Sequence, residues 1–234
     1  MKKNLPIEIY ADGPTMDEIN GFDMSLIKGI TFNPTLFRSL GVTDYLGHCK
    51  ELIQVCGDTP ISLEVFADDN DEMIRQGKVL GALSDSVYVK IPVTNTKGEY
   101  TTRVLEELAS EKIKLNITAV FTKDQVTSIL PYINHTKSII SVFSGRIFDI
   151  GLDAVDITRE IADLVHSQGK CRVLWASPRM VYDAVNACNA NCDIITMPTS
   201  LINKLALFGK TPEQFSIETV QMFYNDANQS AYEL

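Results

Sequence analysis

The sequence predicts an α/β protein in which residues 1–234 form a single (β/α)8 barrel, the TIM-barrel architecture, with an extra C-terminal helix. Eight short apolar runs alternate with longer segments of helical periodicity, and no Pro/Gly/Ser-rich linker divides the 234 residues. A doubly wound open sheet is the alternative. The barrel is favoured because no Gly-x-Gly-x-x-Gly or Walker-type loop follows any of the predicted strands.

Most of the predicted strands are nearly continuous apolar runs, as expected for parallel strands that are covered on both faces. They span residues 7–11, 29–31, 61–65, 87–91, 114–119, 138–142, 172–176 and 193–197. Apolar residues at helical spacing predict helices between them. These span residues 44–55, 69–83, 99–110, 123–130, 153–167, 180–188, 199–208 and 212–224, with a short helix at 15–20.

Composition limits the class of partner. Hydrophobic residues make up 45% of the chain and charged residues 22%, and the formal net charge is −9. Because nucleic acids and anionic membranes are bound by positive surfaces, neither is predicted as a partner. No apolar run is long enough to cross a bilayer. A phosphorylated substrate stays compatible with this charge, since a pair of arginines inside a cleft can override it locally.

The cysteines predict a cytoplasmic protein without a metal site. There are five, an odd number without paired spacing, which is typical of reduced thiols. Cys188 and Cys192 lie four apart with no matching His or Cys cluster nearby. The acidic run at 68–72 is better explained by the start of a helix, where acidic side chains are favoured, than by a cation site.

Polar and charged side chains lie at or just beyond the ends of seven predicted strands. In a barrel of this kind the chemistry is located where strands end and the following loops begin. These residues are Asp12, Thr31, Asn33, Ser62, Glu64, Lys90, Asn116, Thr118, Ser141, Arg146, Ser177 and Arg179. The eighth strand offers Thr196, to which the sequence pattern assigns no role.

Lys90 is the most informative of these residues because it interrupts the apolar run at 87–93. Strand alternation places it opposite to its apolar neighbours, on the same kind of polar face as Glu64 and Asn116 in the adjacent predicted strands. Desolvation of a lysine favours the neutral amine, which is a nucleophile. The alternative, left open by spacing alone, is a structural ion pair of Lys90 with Glu64 or Asp12.

Carboxylates and arginines near this lysine suggest further roles. Asp12 and Glu64 could carry out the proton transfers of Schiff-base chemistry, although an aspartate at a strand end often caps a helix instead. Arg146 and Arg179 offer planar donor forks suited to phosphate, and Ser177 adds a hydroxyl donor. A pair of surface salt bridges is the alternative for the two arginines.

At these residues the chain resembles the transaldolase family, in its short-chain branch, which includes the fructose 6-phosphate aldolases. The resemblance runs in family order over about residues 7–200. The matching segments are Ile9-Tyr10-Ala11-Asp12, Gly29-Ile30-Thr31-Phe32-Asn33-Pro34-Thr35, Ser62-Leu63-Glu64-Val65, Val89-Lys90-Ile91-Pro92-Val93-Thr94, Asn116-Ile117-Thr118, Ser141-Val142-Phe143-Ser144-Gly145-Arg146-Ile147 and Ala176-Ser177-Pro178-Arg179.

The resemblance implies a set of roles. It implies Lys90 as the Schiff-base lysine, Asp12 as the acid/base, and Glu64 with Thr118 as the holders of a catalytic water. It also implies that the substrate is bound by Thr31, Asn33, Ser62, Asn116, Ser141 and Phe143. The implied phosphate site consists of Arg146, Ser177 and Arg179. It implies sugar-phosphate substrates, no cofactor, and a homo-oligomer, for which the amphipathic stretch 215–224 offers a packing surface.

Two positions bear on the reaction type. Transaldolases carry Glu and Phe where the hydrolytic aldolases tend to carry Gln and Tyr, and this chain has Glu64 and Phe143. The resemblance therefore favours transfer of a dihydroxyacetone unit from sedoheptulose 7-phosphate or fructose 6-phosphate to an aldose phosphate, as in the pentose phosphate pathway. The alternatives are an aldolase that releases dihydroxyacetone and a regulatory barrel that binds sugar phosphates. Ser144 and Pro178 depart from the commoner family residues, which leaves open an anion other than phosphate.

Overall fold

Eight parallel strands close into a barrel in chain order, so that each strand pairs with its sequence neighbours and β1 pairs with β8. The computed structural model describes residues 5–230; residues 1–4 and 231–234, the two ends of the predicted domain, lie outside the described residues. The strands are β1 (Glu8–Asp12), β2 (Ile27–Thr31), β3 (Ile61–Glu64), β4 (Val87–Pro92), β5 (Leu115–Val120), β6 (Ile139–Val142), β7 (Arg172–Trp175) and β8 (Ile194–Met197). The predicted barrel is confirmed, and the open sheet is wrong.

Helices alternate with the strands and cover the outside of the barrel. Within residues 5–230 they are α1 (Met16–Gly21), α2 (Pro34–Ser39), α3 (Tyr45–Cys56), α4 (Asn70–Gly81), α5 (Thr102–Ser110), α6 (Lys123–Ile133), α7 (Ser144–Asp149), α8 (Ala154–Gln168), α9 (Asp183–Asn189), α10 (Thr199–Lys204) and α11 (Pro212–Ser230). The predicted extra C-terminal helix is therefore confirmed as α11. A 3-10 turn, Leu205–Leu207, follows α10.

The strand register determines which side chains share the barrel interior. Glu64 pairs with Lys90, and Lys90 pairs with Asn116 on the next strand, so these three residues lie at one level. Below them, Tyr10 and Leu174 belong to an apolar cluster that fills the interior. Because side chains alternate along a strand, a shift of one residue would turn Lys90 toward the helices. The register is thus what directs this lysine inward.

The C-terminal helix α11 differs from the other long helices because none of its residues is buried. Its exposed apolar side chains are Phe215, Ile217, Val220, Met222, Phe223 and Tyr224. A helix of this length with an apolar surface is normally covered by something else. Within residues 5–230, no helix combines the length and apolarity needed to cross a membrane.

Candidate active site

A polar cavity opens at the carboxyl-terminal end of the strands. Its walls come from strands on all sides of the barrel and from the loops that follow them. The lining residues are Asp12, Thr31, Asn33, Lys90, Asn116, Thr118, Ser141, Phe143, Arg146, Ala176, Ser177 and Thr196. Ten of the thirteen predicted site residues are among them, and only Ser62, Glu64 and Arg179 are not.

Lys90 lies on β4 with its side chain almost fully buried at the floor of the cavity. Its Nζ is 3.0 Å from Oε2 of Glu64 and donates a hydrogen bond of 3.0 Å to the carbonyl oxygen of Phe32. The ion pair that the sequence left open as an alternative is therefore present. This ion pair does not exclude a nucleophilic role, because the Glu64 carboxylate is close enough to accept a proton from the ammonium and leave a neutral amine.

A chain of three buried polar side chains holds the wall beside Lys90. The Ser141 hydroxyl donates to Oδ1 of Asn116 at 2.6 Å, and Nδ2 of Asn116 donates to the Ser62 hydroxyl at 3.0 Å. Both ends of the Asn116 amide are thereby fixed, and its orientation follows from the two partners. Ser62 lies behind Asn116 and supports it rather than lining the cavity.

Asp12 is the last residue of β1, and its side chain faces the cavity and not the surrounding helices. Its Oδ1 accepts a 2.6 Å hydrogen bond from the Thr31 hydroxyl. Burial raises the pKa of the Asp12 carboxyl, although the nearby charge of Lys90 and the bond from Thr31 act in the opposite direction. Asp12 is not a helix cap, since the N-cap of α1 is Thr15.

The raised pKa of Asp12 predicts that its removal stabilises the fold. A carboxyl whose pKa is higher in the folded than in the unfolded chain contributes stability below the unfolded pKa, about 3.9, and loses that contribution as pH rises through the folded pKa. We therefore expect Asp12→Asn to unfold at a higher temperature than wild type at pH 7. The difference should shrink as the pH is lowered.

Differential scanning calorimetry at pH values from 8 down to about 4, close to the unfolded pKa, measures this difference. For a protein of this size, a gain of about 1 kcal/mol raises the melting temperature by about 2–4 °C. Asp17→Asn, in the exposed first turn of α1, is the matched control and should give no gain. A lower melting temperature for Asp12→Asn at pH 7 would show that the ionised carboxyl stabilises the site.

Thr118 is aimed into the cavity by an irregularity in β5. The register between β5 and β6 shifts between Ile117 and Val120, and Ala119 has a φ of 57°. Such a bulge redirects the side chains beside it, and a positive φ at a residue other than glycine is strained. The buried Oγ1 of Thr118 makes no hydrogen bond to any residue of the described part of the chain, so it is available to a water or a substrate oxygen.

Arg146 and Ser177 form the side of the cavity that suits an anion. Arg146 lies on α7 with its guanidinium 5.3 Å from the centre of the Phe143 ring, and none of the ion pairs within residues 5–230 involves it. Ser177 follows β7 with a φ of 60°. Gly145 allows these two elements to touch, because a Cβ there would overlap the carbonyl oxygen of Ser177.

Arg179 is located differently from the prediction that pairs it with Arg146. Its guanidinium makes an ion pair with Asp149 at the end of α7, in which Nε donates to the two carboxylate oxygens at 3.0 and 3.1 Å. This pair also lowers the pKa of the Asp149 carboxyl. The salt-bridge alternative thus describes the side chain of Arg179 and not that of Arg146.

Three further residues shape the site without having been predicted to do so. The buried carboxylate of Asp183 accepts hydrogen bonds from the backbone N–H groups of Arg179, at 2.6 Å, and Met180, at 3.1 Å, and so fixes the loop after β7. Asp149 holds the Arg179 side chain, and Thr196 lines the cavity. Only Thr196 had a sequence signal, its position at a strand end.

Ser144 and the acidic run at 68–72 have structural roles, and for the acidic run this is the helix start that the sequence favoured. The Ser144 hydroxyl is 2.8 Å from that of Thr158 on α8, so it faces the helices and not the anion side of the cavity. Asp69 in the acidic run caps α4 by accepting from the backbone N–H groups of Asp71 and Glu72. Within residues 5–230, no group of three or more His, Cys, Asp or Glu side chains has the arrangement of a metal site.

Solved structures with the same fold include an aldolase and a lyase. Deoxyribose phosphate aldolase from Aeropyrum pernix superposes with a TM-score of 0.60 at 10% identity, covering 89% of this chain and 92% of that one. A 2,3-dimethylmalate lyase superposes with a TM-score of 0.58 at 8% identity, covering 99% and 86%. At these identities the likeness concerns the fold alone.

Sequence relatives are closer. A "Probable transaldolase" from Thermoplasma volcanium is 31% identical over 211 residues, which cover 88% of this chain and 91% of that protein. A "Probable transaldolase" from a Roseiflexus species is 33% identical over 200 residues, covering 85% and 88%. The family model described as "Transaldolase/Fructose-6-phosphate aldolase" matches residues 9–234. The chain belongs to the transaldolase/fructose-6-phosphate aldolase family.

Proposed function

We propose that the protein is a transaldolase that transfers a dihydroxyacetone unit from a ketose phosphate to an aldose phosphate through a Schiff base on Lys90. One observation carries the proposal: the buried amine of Lys90 lies 3.0 Å from Glu64 at the floor of a polar cavity. Burying an ammonium and a carboxylate is costly, and a purely structural core would avoid it. Covalent catalysis by the lysine is a function for which such a costly pair would be retained.

The proposed reaction begins when the Lys90 ammonium transfers a proton to Glu64 and the neutral amine attacks the ketose carbonyl carbon, C2. The carbinolamine hydroxyl takes the proton that Glu64 accepted and leaves as water, which Thr118 and Glu64 hold. Asp12 removes the proton of the C4 hydroxyl, the bond between C3 and C4 breaks, and an aldose phosphate leaves. The enamine left on Lys90 attacks the aldehyde of an acceptor, whose oxygen takes back the proton held by Asp12, and hydrolysis of the new Schiff base by water releases the product ketose and the free amine.

The substrate would be bound by the polar walls and by Arg146. Oδ1 of Asn33 caps α2 by accepting from the backbone N–H of Leu36 at 2.9 Å, which leaves the amide NH2 to meet a substrate hydroxyl. Asn116 and Ser141 offer further partners close to Lys90. The phosphate would lie at the opposite side, between Arg146 and Ser177, where the charge and the donors suit it.

Transfer rather than hydrolysis is favoured by Phe143, whose ring lines the cavity 5.8 Å from the Phe121 ring. A phenyl group cannot donate a hydrogen bond to water, whereas a phenol can. We therefore expect Phe143→Tyr to release dihydroxyacetone about 100-fold faster in the absence of an acceptor, at the lower end of the usual effect of one positioned proton donor. Phe121→Tyr, one ring further from the cavity, is the control. Equal release by both variants would contradict the role of position 143.

An activity screen tests the proposed function. Fructose 6-phosphate and sedoheptulose 7-phosphate are supplied with and without erythrose 4-phosphate or another aldose phosphate, and the released aldose phosphate and dihydroxyacetone are measured. A transaldolase turns over only when an acceptor is present, and an aldolase releases dihydroxyacetone without one. Saturable binding without turnover of any donor would support the regulatory barrel instead. Turnover of sulfonated but not phosphorylated sugars would identify a different anion at Arg146.

We also propose a cytoplasmic homo-oligomer. The five cysteines are all unpaired, as in a reducing compartment. Helix α11, none of whose residues is buried, carries exposed apolar residues that a second copy could bury. Sedimentation velocity of the wild type and of Val220→Asp/Phe223→Asp measures the oligomeric state. A wild type that sediments as a monomer of 26.0 kDa would contradict this proposal.

A further inference from the structure

Thr196 belongs to a chain of hydrogen bonds that reaches Asp12. It lies on β8 with only 5% of its surface exposed, and it borders the cavity. Its Oγ1 is 2.5 Å from Oγ1 of Thr31, which is itself 2.6 Å from Oδ1 of Asp12. Because β1 lies between β2 and β8 in the barrel, the three side chains meet across neighbouring strands.

The protons of this hydrogen-bond chain have two arrangements, one for each protonation state of Asp12. When Asp12 is ionised, the single hydroxyl proton of Thr31 points to the carboxylate, and Thr31 can accept the proton of Thr196. When Asp12 is protonated, the carboxyl donates to Thr31, and Thr31 donates to Thr196. In the second arrangement the Thr196 hydroxyl turns its own proton toward the cavity that it borders, so the chain can reverse when Asp12 gains or loses its proton.

We propose that Thr196 is a positioning residue that acts through Thr31 on Asp12 and helps to set the pH at which Asp12 accepts the substrate proton. The inference rests on the proposed acid/base role of Asp12. It assigns to the eighth strand a part in the reaction that neither the sequence pattern nor the family resemblance assigned.

Few charged groups in the described part of the chain face Asp12, so the hydrogen bonds from Thr31 and Thr196 can affect the protonation of its carboxyl. The charged side chains that face it are Lys90 on β4, with Glu64 on β3 behind that lysine, and Arg146 across the cavity. The two strands that flank β1 contribute hydroxyls at this level and no charge. A donor to the Thr31 hydroxyl polarises it and strengthens its bond to the carboxylate.

Replacement of Thr196 by valine keeps the shape of the side chain and removes the hydroxyl. Without this donor, the Thr31 hydroxyl stabilises the Asp12 carboxylate less. In Thr196→Val we expect the acid limb of the pH profile of kcat/KM for fructose 6-phosphate to move to higher pH by about 0.5 unit. A shift of this size corresponds to weakening, but not losing, one charge-assisted hydrogen bond. Thr196→Ser keeps the hydroxyl and should return the limb to its wild-type position.

The experiment uses the full chain with erythrose 4-phosphate as acceptor. Thr158→Val is the matched control, since it also removes a buried hydroxyl paired with another hydroxyl, 2.8 Å away, but on α8 and outside the cavity. It should leave the acid limb unchanged even if the melting temperature falls. Should Thr196→Val not fold, Thr196→Ala removes the same hydroxyl and should displace the limb in the same direction.

The outcomes separate this inference from the proposed function. A wild type that turns over with a measurable acid limb, together with valine and alanine variants whose limb does not move, overturns the role of Thr196 alone. The role of Thr196 is also overturned if Thr196→Val displaces the acid limb and Thr196→Ser does not restore it, because the hydroxyl is then not the cause of the displacement. A wild type without turnover of either donor sugar contradicts the proposed function itself.

Discussion

Lys90→Met is expected to abolish the covalent adduct that borohydride traps on the wild-type protein in the presence of fructose 6-phosphate. Methionine fills a similar apolar volume but has no amine, so neither a carbinolamine nor an imine can form. Transfer to erythrose 4-phosphate should fall by about 1,000-fold or more, as is usual when a covalent nucleophile is removed. Intact-protein mass spectrometry after reduction measures the adduct, and a coupled assay measures the transfer.

This variant also leaves the Glu64 carboxylate without its cation. Removing one partner of a buried ion pair is strongly destabilising, by about 3–5 kcal/mol in general. Because the Glu64 side chain is 15% exposed, some of that loss is relieved by solvent. Lys90→Met/Glu64→Gln removes both charges and should recover stability without recovering the adduct. The double variant therefore distinguishes loss of chemistry from loss of folding.

Lys114→Met is the matched control for adduct formation. Lys114 precedes β5, lies 5.6 Å from the centre of the Tyr88 ring and donates to the carbonyl oxygen of Asp85, outside the polar cavity. Its variant should keep both the adduct and the activity. An adduct of undiminished yield in Lys90→Met would instead place the Schiff base on another lysine, and the proposed mechanism would have to be abandoned.

The inward direction of Lys90 could be predicted from sequence because it depends on local alternation and on parallel register. A period of two within an apolar strand places Lys90 opposite Val89 and Ile91, and the closed barrel then brings it beside Glu64. That conclusion needs only the pairing of strands that follow one another in the chain. The same reasoning located Asn116 on the adjacent strand.

Features that depend on loops could not be predicted in this way. The helices α2 and α7 have six residues each, too few for apolar periodicity to be distinguished. Helix α5 begins three residues later than predicted, because Tyr100 bridges back to Thr94 and Asn95 caps the turn between them. The contact of Thr196 with Thr31 joins strands at opposite ends of the chain, which only closure of the barrel brings together.

The ion pair of Arg179 with Asp149 also depends on loop structure and could not be predicted from the sequence. Because Arg146 and Arg179 both follow strand ends, the sequence placed both at the anion site. Whether each arginine is free to bind an anion depends on which carboxylates the loops bring near it. Asp149 follows Arg146 by three residues, and the short helix that contains both directs its carboxylate to Arg179. Arg146 is left facing the cavity. The two positions therefore differ in what their removal should do to substrate binding.

Arg146→Ala is expected to raise the KM for fructose 6-phosphate by about 30–150-fold, which corresponds to the loss of about 2–3 kcal/mol from a charge-assisted contact with phosphate. The KM for unphosphorylated fructose should change little, because no anion is then bound. Arg179→Ala is the matched variant. It should raise the KM for fructose 6-phosphate less than about 5-fold, since its guanidinium already forms a partly exposed ion pair with Asp149, and such pairs contribute little.

Steady-state kinetics with both sugars measure these effects in the two variants and in Asp149→Asn. A larger effect of Arg179→Ala than of Arg146→Ala would contradict the assignment and would mean that Arg179 leaves Asp149 when substrate binds. In that case Asp149→Asn should lower the KM, because the phosphate no longer competes with the carboxylate. If Arg146 is the principal anion partner, Asp149→Asn should leave the KM for fructose 6-phosphate within about 5-fold of wild type, as expected for loss of an exposed pair.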